Sequence, residues 1–394
     1  MKITPEQARL QNKRLILQTI YQENGVSRAQ IARITKLTRP TVSDVVANLI
    51  EEGLVEESGT TDSGVGRKGI LLQVIDDSRY LIGLDLARGD FSGAIINLRG
   101  EIKYQIKLPL ESMDGEKALQ LVFNLLDTLI AKSEKSLLGI GIGAPGLVDI
   151  TKGIIHHAVN LGWKDIPLRE LLQEHYQLPV YMANDCQVAA LAELSFGNCI
   201  NDSSNLVLVN TGWGVGAGII LENQILYGDP FGAGEIGHIV VEEGGELCTC
   251  GNRGCLETVV STRGIVQQAK GLAQENPDSI LNESISASGD LTFESICQAV
   301  REGDPAALML MADVGRYLGI AIANLVGVLG GSHVLLAGDT ACFGEPFLEI
   351  VRREMKKHVL RLTADSTEIG FASLGKNVVL LGASALILPN ELGL

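Results

Sequence analysis

Four side chains in one short stretch constrain this chain more than any other feature. His238, Cys248, Cys250 and Cys255 follow the spacing His-x9-Cys-x-Cys-x4-Cys. One imidazole and three thiols make a common closed ligand set for a tetrahedral Zn²⁺. A closed set leaves no open position, so a metal held there is structural and not hydrolytic. Gly251 and Gly254 fall between the thiols, where the chain must turn tightly around an ion. The alternative is a group of free or disulfide-bonded cysteines. Disulfides are disfavoured in a chain without an export signal. Glu235 and Glu257 flank the cluster and have no part in holding a metal. They are candidates for accepting hydrogen bonds from a polyhydroxyl ligand beside the braced loop.

A length of 394 residues suggests two or three domains, and 46% hydrophobic residues suffice for sizeable cores. No apolar run reaches the length of a membrane span, and the first residues lack a signal peptide's apolar core. These features predict a cytoplasmic protein with no membrane partner. Of the seven cysteines, Cys186, Cys199, Cys297 and Cys342 are scattered and read as buried thiols. The net charge of −15 argues against nucleic-acid binding by the chain as a whole. Residues 1–75, however, carry ten basic and eight acidic residues, whereas the remainder carries 22 against 39. A mildly basic head on an acidic body is compatible with DNA contact through the head alone.

Within that head, residues 11–24 read as a helix with Leu15, Ile16, Ile20 and possible Leu17 inward, stopped by Gly25. Ser27-Arg-Ala-Gln30 is a capping box that starts a second helix with Ile31, Ala32 and Ile34 inward. Thr38 caps a third, which tolerates Pro40 in its first turn. Val42, Val45, Val46, Leu49 and Ile50 recur along it at helical spacing. Two short helices joined by a tight turn match a helix-turn-helix. Two strands follow, separated by a Gly/Ser/Thr-rich loop ending in Gly66-Arg67-Lys68-Gly69, which reads as the wing of a winged helix. Arg39, Thr41 and Ser43 occupy the non-apolar start of the third helix, where this motif reaches base edges or phosphates. Arg67 and Lys68 suit a minor groove or its phosphates. A small packing domain without a DNA role is the competing interpretation.

From Tyr80 onward strands and helices alternate, which indicates α/β architecture. One α/β lobe extends to Glu193, and a second starts at Leu206 and continues to the end. Asn184-Asp185 falls where a strand ends and a helix begins, a usual place for ligand contacts. Both residues are also good helix caps.

The cluster preceded by Gly234-Glu-Ile-Gly-His238 resembles the signature of the ROK family of repressors and sugar kinases. The likeness runs from about residue 76 to the C-terminus, and residues 1–75 look like the winged-helix head of ROK repressors. The resemblance implies a two-lobed actin-like ATPase fold, shared with hexokinases, over residues 76–394. It implies that Asn184 binds sugar hydroxyls, that Asp185 matches the kinases' catalytic base, and that Gly146, Glu235, His238 and Glu257 complete the sugar site. His238 would then turn one ring nitrogen to zinc and the other to a sugar hydroxyl.

ROK kinases carry Asp-x-Gly-Gly-Thr-Lys, or close to it, at the first strand turn. This chain has Asp85-Leu86-Ala87-Arg88-Gly89-Asp90 instead. The phosphate cradle is lost and Asp90 puts an acid in its place, so no kinase activity is expected. The second glycine stretch, Thr211–Gly218, reads as a hairpin linking two buried strands. Three functions remain: a sugar-responsive repressor, a sugar kinase with a DNA-binding head, or a repressor released by a protein partner. The first is expected, with operator DNA and a small sugar as partners. Paired half-sites imply a homodimer or homotetramer.

Overall fold

The computed structural model describes residues 4–60, 69–87, 89–111, 113–198, 204–330 and 333–394. Helix α1 (Pro5–Glu23) starts earlier than its apolar periodicity suggests, because Thr4 and Gln7 form a capping box and Pro5 fits the first turn. It ends at Asn24, which is left-handed (φ 40°). After β1 (Val26–Ser27), the Ser27–Gln30 capping box starts α2 (Arg28–Thr35). Lys36, at φ 58°, turns the chain into α3 (Arg39–Glu51), capped by Thr38. Strands β2 (Val55–Thr60) and β3 (Ile70–Val74) complete a three-stranded sheet of order β1-β3-β2. Ile16, Leu17, Ile20, Ile31, Val42, Val46, Leu49 and Leu72 form the core of this winged helix. Leu15 and Ile34, expected inward, are exposed. Leu15 lies at the margin of its apolar stripe, and Ile34 is in the last turn of a helix too short to cover it.

The first lobe is built from β4 (Tyr80–Asp85), β5 (Asp90–Asn97), β6 (Ile102–Pro109), α4 (Gly115–Lys132) and β7 (Leu137–Ala144). Next come β8 (Leu147–Asp149), β9 (Ile154–Ala158), β10 (Trp163–Ile166), α5 (Leu168–Tyr176) and β11 (Val180–Asn184). Its main sheet has the order β11-β7-β4-β5-β6, with β4 and β7 parallel. Phe91, Leu125, Leu129, Ile142 and Trp163 lie in its core.

The second lobe comprises α6 (Asp185–Phe196), β12 (Leu206–Thr211), β13 (Val215–Leu221), β14 (Gln224–Ile225), α7 (Leu256–Val260), α8 (Thr262–Glu275), α9 (Ile280–Ser288) and α10 (Phe293–Arg301). It continues with α11 (Pro305–Leu329), β15 (His333–Gly338), α12 (Gly344–His358), α13 (Arg361–Asp365), β16 (Glu368–Phe371) and α14 (Val378–Ala385). Its sheet order, β14-β13-β12-β15-β16, repeats that of the first lobe: an antiparallel three-strand meander, then a parallel strand added to the meander's first member and one more strand beyond it.

The chain divides into two compact units, Met1–Ala183 with Ala383–Leu394, and Asn184–Gly382. The second lobe therefore does not run to the C-terminus as its sequence suggests. The last residues, with α15 (Ile387–Glu391), return to the first unit. Gly141 of β7 makes room for them: a Cβ there would lie 1.8 Å from the Ala383 carbonyl oxygen.

Two further expectations change. Helix α11 is long and apolar enough to cross a membrane, contrary to the sequence reading, but its buried face packs in the second unit's core. Cys297 and Cys342, read as separate thiols, form a disulfide with a Cα–Cα distance of 6.2 Å, because α10 packs against the turn that follows β15. Cys186 is a buried free thiol as expected, and Cys199 lies outside the described residues.

The Thr211–Gly218 stretch is the hairpin between β12 and β13. A Cβ at Gly218 would lie 2.0 Å from the Cys186 carbonyl oxygen, so this glycine lets α6 pack onto the sheet. At Gly212 the nearest atom, Asp339 Oδ2, is an ordinary 3.7 Å away. Gly218→Ala is expected to destabilise the protein by about 3 kcal/mol, and Gly212→Ala by less than about 0.5 kcal/mol. Urea unfolding of both variants measures the difference.

Candidate functional site

Packing of backbone on backbone positions the cysteine loop. A Cβ at Gly234 would lie 1.9 Å from the Ala217 carbonyl oxygen, and one at Gly237 2.2 Å from that of Val215. The 3-10 turn Ile236–His238 is thereby seated on β13 and delivers His238. Further on, the Cys248 N–H donates to the Asn252 carbonyl at 2.8 Å, and the Gly251 N–H to that of Cys248 at 3.0 Å. Gly251 and Gly254 take φ of 94° and 71°, as a tight turn requires. The ligand atoms of His238, Cys248, Cys250 and Cys255 all lie within 4.8 Å of one another. His238 Nδ1 is 3.6 Å from Cys248 Sγ, and Cys250 Sγ is 3.6 Å from Cys255 Sγ. A tetrahedral ion with Zn–S of about 2.3 Å and Zn–N of about 2.0 Å spans N···S and S···S edges of about 3.6–3.8 Å. The donor set therefore fits zinc in chemistry, and these two edges fit it in spacing. Burial and the adjacent sulfurs push the Cys255 thiol up to about 12. A divalent cation would reverse that tendency.

The other ring nitrogen of His238, Nε2, lies 3.8 Å from Glu235 Oε2. Burial pushes the Glu235 carboxyl up, the His238 ring opposes this, and the charges of Asp185 and Glu257 add to it. Three carboxylates and one imidazole thus share a local field in the second unit. Glu257, largely buried, accepts from the Val215 N–H at 3.4 Å and faces Arg263 Nη2 at 3.5 Å. Asn184 caps α6, its side-chain oxygen accepting from the Cys186 N–H at 2.9 Å. Asp185 accepts from the same N–H at 2.8 Å, yet burial dominates and raises its carboxyl above the usual range. The cap reading of Asn184 is therefore correct in geometry. It also fixes Asp185 at the first position of the helix.

Gly146 belongs to the first unit. Its φ of 78° and the 2.0 Å gap from a Cβ there to the His157 carbonyl oxygen account for the glycine by folding alone. Arg263 was missed in the sequence. An arginine in the first turn of a helix reads as solvated, and only the fold brings it to Glu257.

An acid stands at each of two hairpin turns. Ala87 and Gly89 lie between β4 and β5, with Asp90 exposed at the first position of β5. In the second unit the Thr262 N–H donates to the Gly212 carbonyl at 2.8 Å. The Thr262 hydroxyl donates to Asp339 Oδ2 at 2.7 Å, so that carboxylate stands beside the glycine turn.

In the head, Arg39 and Ser43 are exposed at the start of α3. Thr41 is half-buried, its hydroxyl 2.8 Å from that of Thr38, and so belongs partly to the cap. Arg67, Lys68 and Arg88 lie outside the described residues.

Residues 81–390 match the ROK family, and residues 9–56 match the winged helix-turn-helix DNA-binding family. The chain belongs to the ROK family. It is 34% identical over 387 residues to a xylose repressor of Caldicellulosiruptor bescii, covering 97% of this chain and 96% of that protein. It is 35% identical to a glucokinase of Halalkalibacterium halodurans over 79% of this chain and 96% of the other. A solved ROK family transcriptional regulator, described as a homolog of the E. coli MLC protein, superposes with a TM-score of 0.85. The sequences are 27% identical, and the match covers 98% of this chain and 97% of that one. The ROK fold and the winged helix inferred from the sequence are both present, and similarity to repressors extends through the head.

Because burial raises the Asp185 carboxyl, the folded protein holds that proton more tightly than the unfolded chain does. Ionised Asp185 therefore opposes folding once the pH exceeds the unfolded value of about 3.9. Asp185→Asn is expected to raise the melting temperature of ligand-free protein at pH 7, with the gain shrinking as the pH approaches 4. A lower melting temperature at pH 7 would mean that the folded state favours the charged form.

Proposed function

We propose that this ROK protein is a transcriptional repressor whose hold on operator DNA responds to a small neutral sugar. The observation that carries this reading is one chain that joins a winged helix-turn-helix, with Arg39 and Ser43 exposed on its third helix, to a carboxylate–imidazole site. Asp185, Glu235 and Glu257 are acceptors suited to hydroxyl groups, and their combined charge disfavours a sugar phosphate. The similarity to a xylose repressor makes D-xylose the first sugar to test, ahead of hexoses and N-acetylated sugars. Asn184 would contribute its amide, and His238 its Nε2, to the hydroxyl set. Gly146 is kept in the proposed sugar set on family resemblance alone.

Zinc, held by His238, Cys248, Cys250 and Cys255, would be structural. It supplies no chemistry to a reaction; it fixes the turn that carries His238 and keeps Glu235 and Glu257 at a set separation. Operator contact falls to Arg39, Ser43 and Thr41 on α3, with Arg67 and Lys68 from the sequence between β2 and β3. Paired half-sites call for a homodimer or a larger symmetric assembly, acting in the cytoplasm where the operator lies.

A sugar kinase is the second reading, favoured by the similarity to a glucokinase and by the retained Asp185. Ala87, Arg88 and Asp90 at the first turn and Asp339 beside the second speak against it, because acids there repel nucleotide phosphates. Turnover of ATP with xylose or glucose, abolished by Asp185→Ala, would establish the kinase.

Purified protein is expected to contain about one zinc per chain, lost in Cys250→Ala together with most of the sugar response. Elemental analysis of protein prepared without chelator measures it. Arg39→Ala is expected to weaken operator binding and leave sugar binding intact. If its contact is to a phosphate, the slope of log K against log salt falls by about one unit. If it reads a base, the loss is about 1–3 kcal/mol at one operator position. Glu257→Ala is expected to bind operator normally and stop responding to sugar. Fluorescence anisotropy with and without D-xylose separates the cases, and a Glu257→Ala protein that still releases DNA would favour control by a protein partner.

A further inference from the structure

Two peptide connections join the compact units, at 183/184 and 382/383. The first is the end of β11, whose last residue, Asn184, caps the helix that begins with Asp185. The second lies within α14 and leads directly into α15. The two connections are tied together inside the first unit, where the Tyr181 hydroxyl of β11 donates to the Glu391 carboxylate of α15. The neighbouring Asn390 carbonyl accepts from Arg14 Nη2 of α1 at 3.1 Å. Gly393, at φ 73°, packs against the Arg14 stem so closely that a Cβ would lie 2.6 Å from its Cγ. Helix α1 is the first helix of the DNA-binding head, and its Ile16, Leu17 and Ile20 lie in that head's core.

The head has other attachments to the first lobe. The Tyr21 hydroxyl donates to the Leu98 carbonyl at 2.7 Å, with the Arg99 guanidinium 3.8 Å from the ring centroid. Arg79 donates to the Glu52 carbonyl at 2.9 Å. These ties anchor the head to the β5–β6 turn and to the start of β4. Neither reaches a connection between the units. The Tyr181–Glu391 and Asn390–Arg14 contacts do.

We propose that α15 is the coupling element between the sugar site and the DNA-binding head, held to β11 by Tyr181–Glu391 and to α1 by Asn390–Arg14. Tyr181, Glu391 and Arg14 are positioning residues that touch neither sugar nor DNA. The proposal rests on the repressor reading above. Its physical content is that a change in β11 at the Asn184–Asp185 junction displaces Glu391, and with it the carbonyl that fixes α1. Coupling of this kind is reciprocal: operator binding must alter β11 as sugar binding alters α1.

The test uses full-length protein, D-xylose, and a DNA duplex selected by the protein from a random-sequence pool. Tyr181→Phe removes one hydroxyl, Glu391→Gln one charge, and Arg14→Met the guanidinium while keeping an apolar stem. Each is expected to bind D-xylose within about twofold of wild type by calorimetry. Each is expected to lower the ratio of duplex affinities without and with xylose by at least about fivefold, a factor within the usual range of allosteric coupling. Tyr21→Phe, on an attachment that leads to neither connection, is expected to keep the wild-type ratio. Because Tyr181 and Arg14 act in series, Tyr181→Phe/Arg14→Met is expected to lose no more than either single variant. An unchanged ratio in all three variants, or an equal loss in Tyr21→Phe, overturns the proposal. A second arm needs no sugar. Duplex alone is expected to slow amide exchange in β11 and α15 of wild type and not of Arg14→Met; equal slowing in both, or slowing in neither, overturns it. If xylose does not change wild-type duplex affinity, the repressor reading fails for that sugar, and the exchange arm still decides whether α15 couples the head to β11.

Discussion

The cysteine loop is seated on β13 at its start but has little regular structure beyond it. Between His238 and Cys255 the chain forms only isolated bridges, Val240 with Cys255 and Leu247 with Arg253. Val240 and Leu247 are more exposed than buried. Ile239 and Val241 pack on the second unit's core, but turns dominate the segment, and packing alone fixes its thiols less tightly than a metal would. A zinc held by His238, Cys248, Cys250 and Cys255 would fix them. The carboxylates of Glu235 and Glu257 would inherit that rigidity. Glu235 lies three residues before one ligand, and Glu257 two residues after another.

Beneath the loop, glycine sets the distances. Gly216, Gly218, Gly234 and Gly237 each occupy a place where a Cβ would meet a neighbouring backbone or sulfur atom at 2.7 Å or less. Together they draw α6, the β12–β13 hairpin and the His238 turn within reach of one another. The same glycines read in sequence as a hairpin and a metal loop. Their further use, bringing Asp185 and Cys186 against β13, is a tertiary fact that local spacing does not encode.

The pattern of what was legible follows from this. Caps were visible because their donors and acceptors lie within three residues: the Ser27–Gln30 box and the Thr38 cap form as the sequence requires. The ligand cluster was visible because metal chemistry restricts both residue type and spacing. The repeated sheet order of the two lobes was hidden, since topology can recur without recurring residues. The return of Ala383–Leu394 to the first unit was hidden as well, because its receptor is the absence of a side chain at Gly141. The Cys297–Cys342 pair, the Arg263–Glu257 contact and the Thr262–Asp339 bond all join residues distant in sequence, where neither periodicity nor spacing gives a signal. Tyr181 and Arg14 belong to the same class, each unremarkable within its own element.

The proposed sugar site would let a kinase-like fold act as a switch without catalysis. Asp185 and Glu235 are acids whose burial disfavours their charged forms, and the charge of Asp185 adds to the cost at Glu235. Sugar hydroxyls donating to them would lower that cost, and the gain would belong to whichever conformation buries the acids more completely. A ligand shifts an equilibrium only by its differential affinity for the two states. A change of about 100-fold in operator affinity corresponds to about 2.7 kcal/mol, within the range of one or two hydrogen bonds to a charged group at about 1.5–3 kcal/mol each. Two of the three carboxylates would suffice. No proton need leave the sugar and no phosphate need arrive. Asp185, which the family resemblance aligns with the kinases' base, would serve in this reading as a hydrogen-bond acceptor.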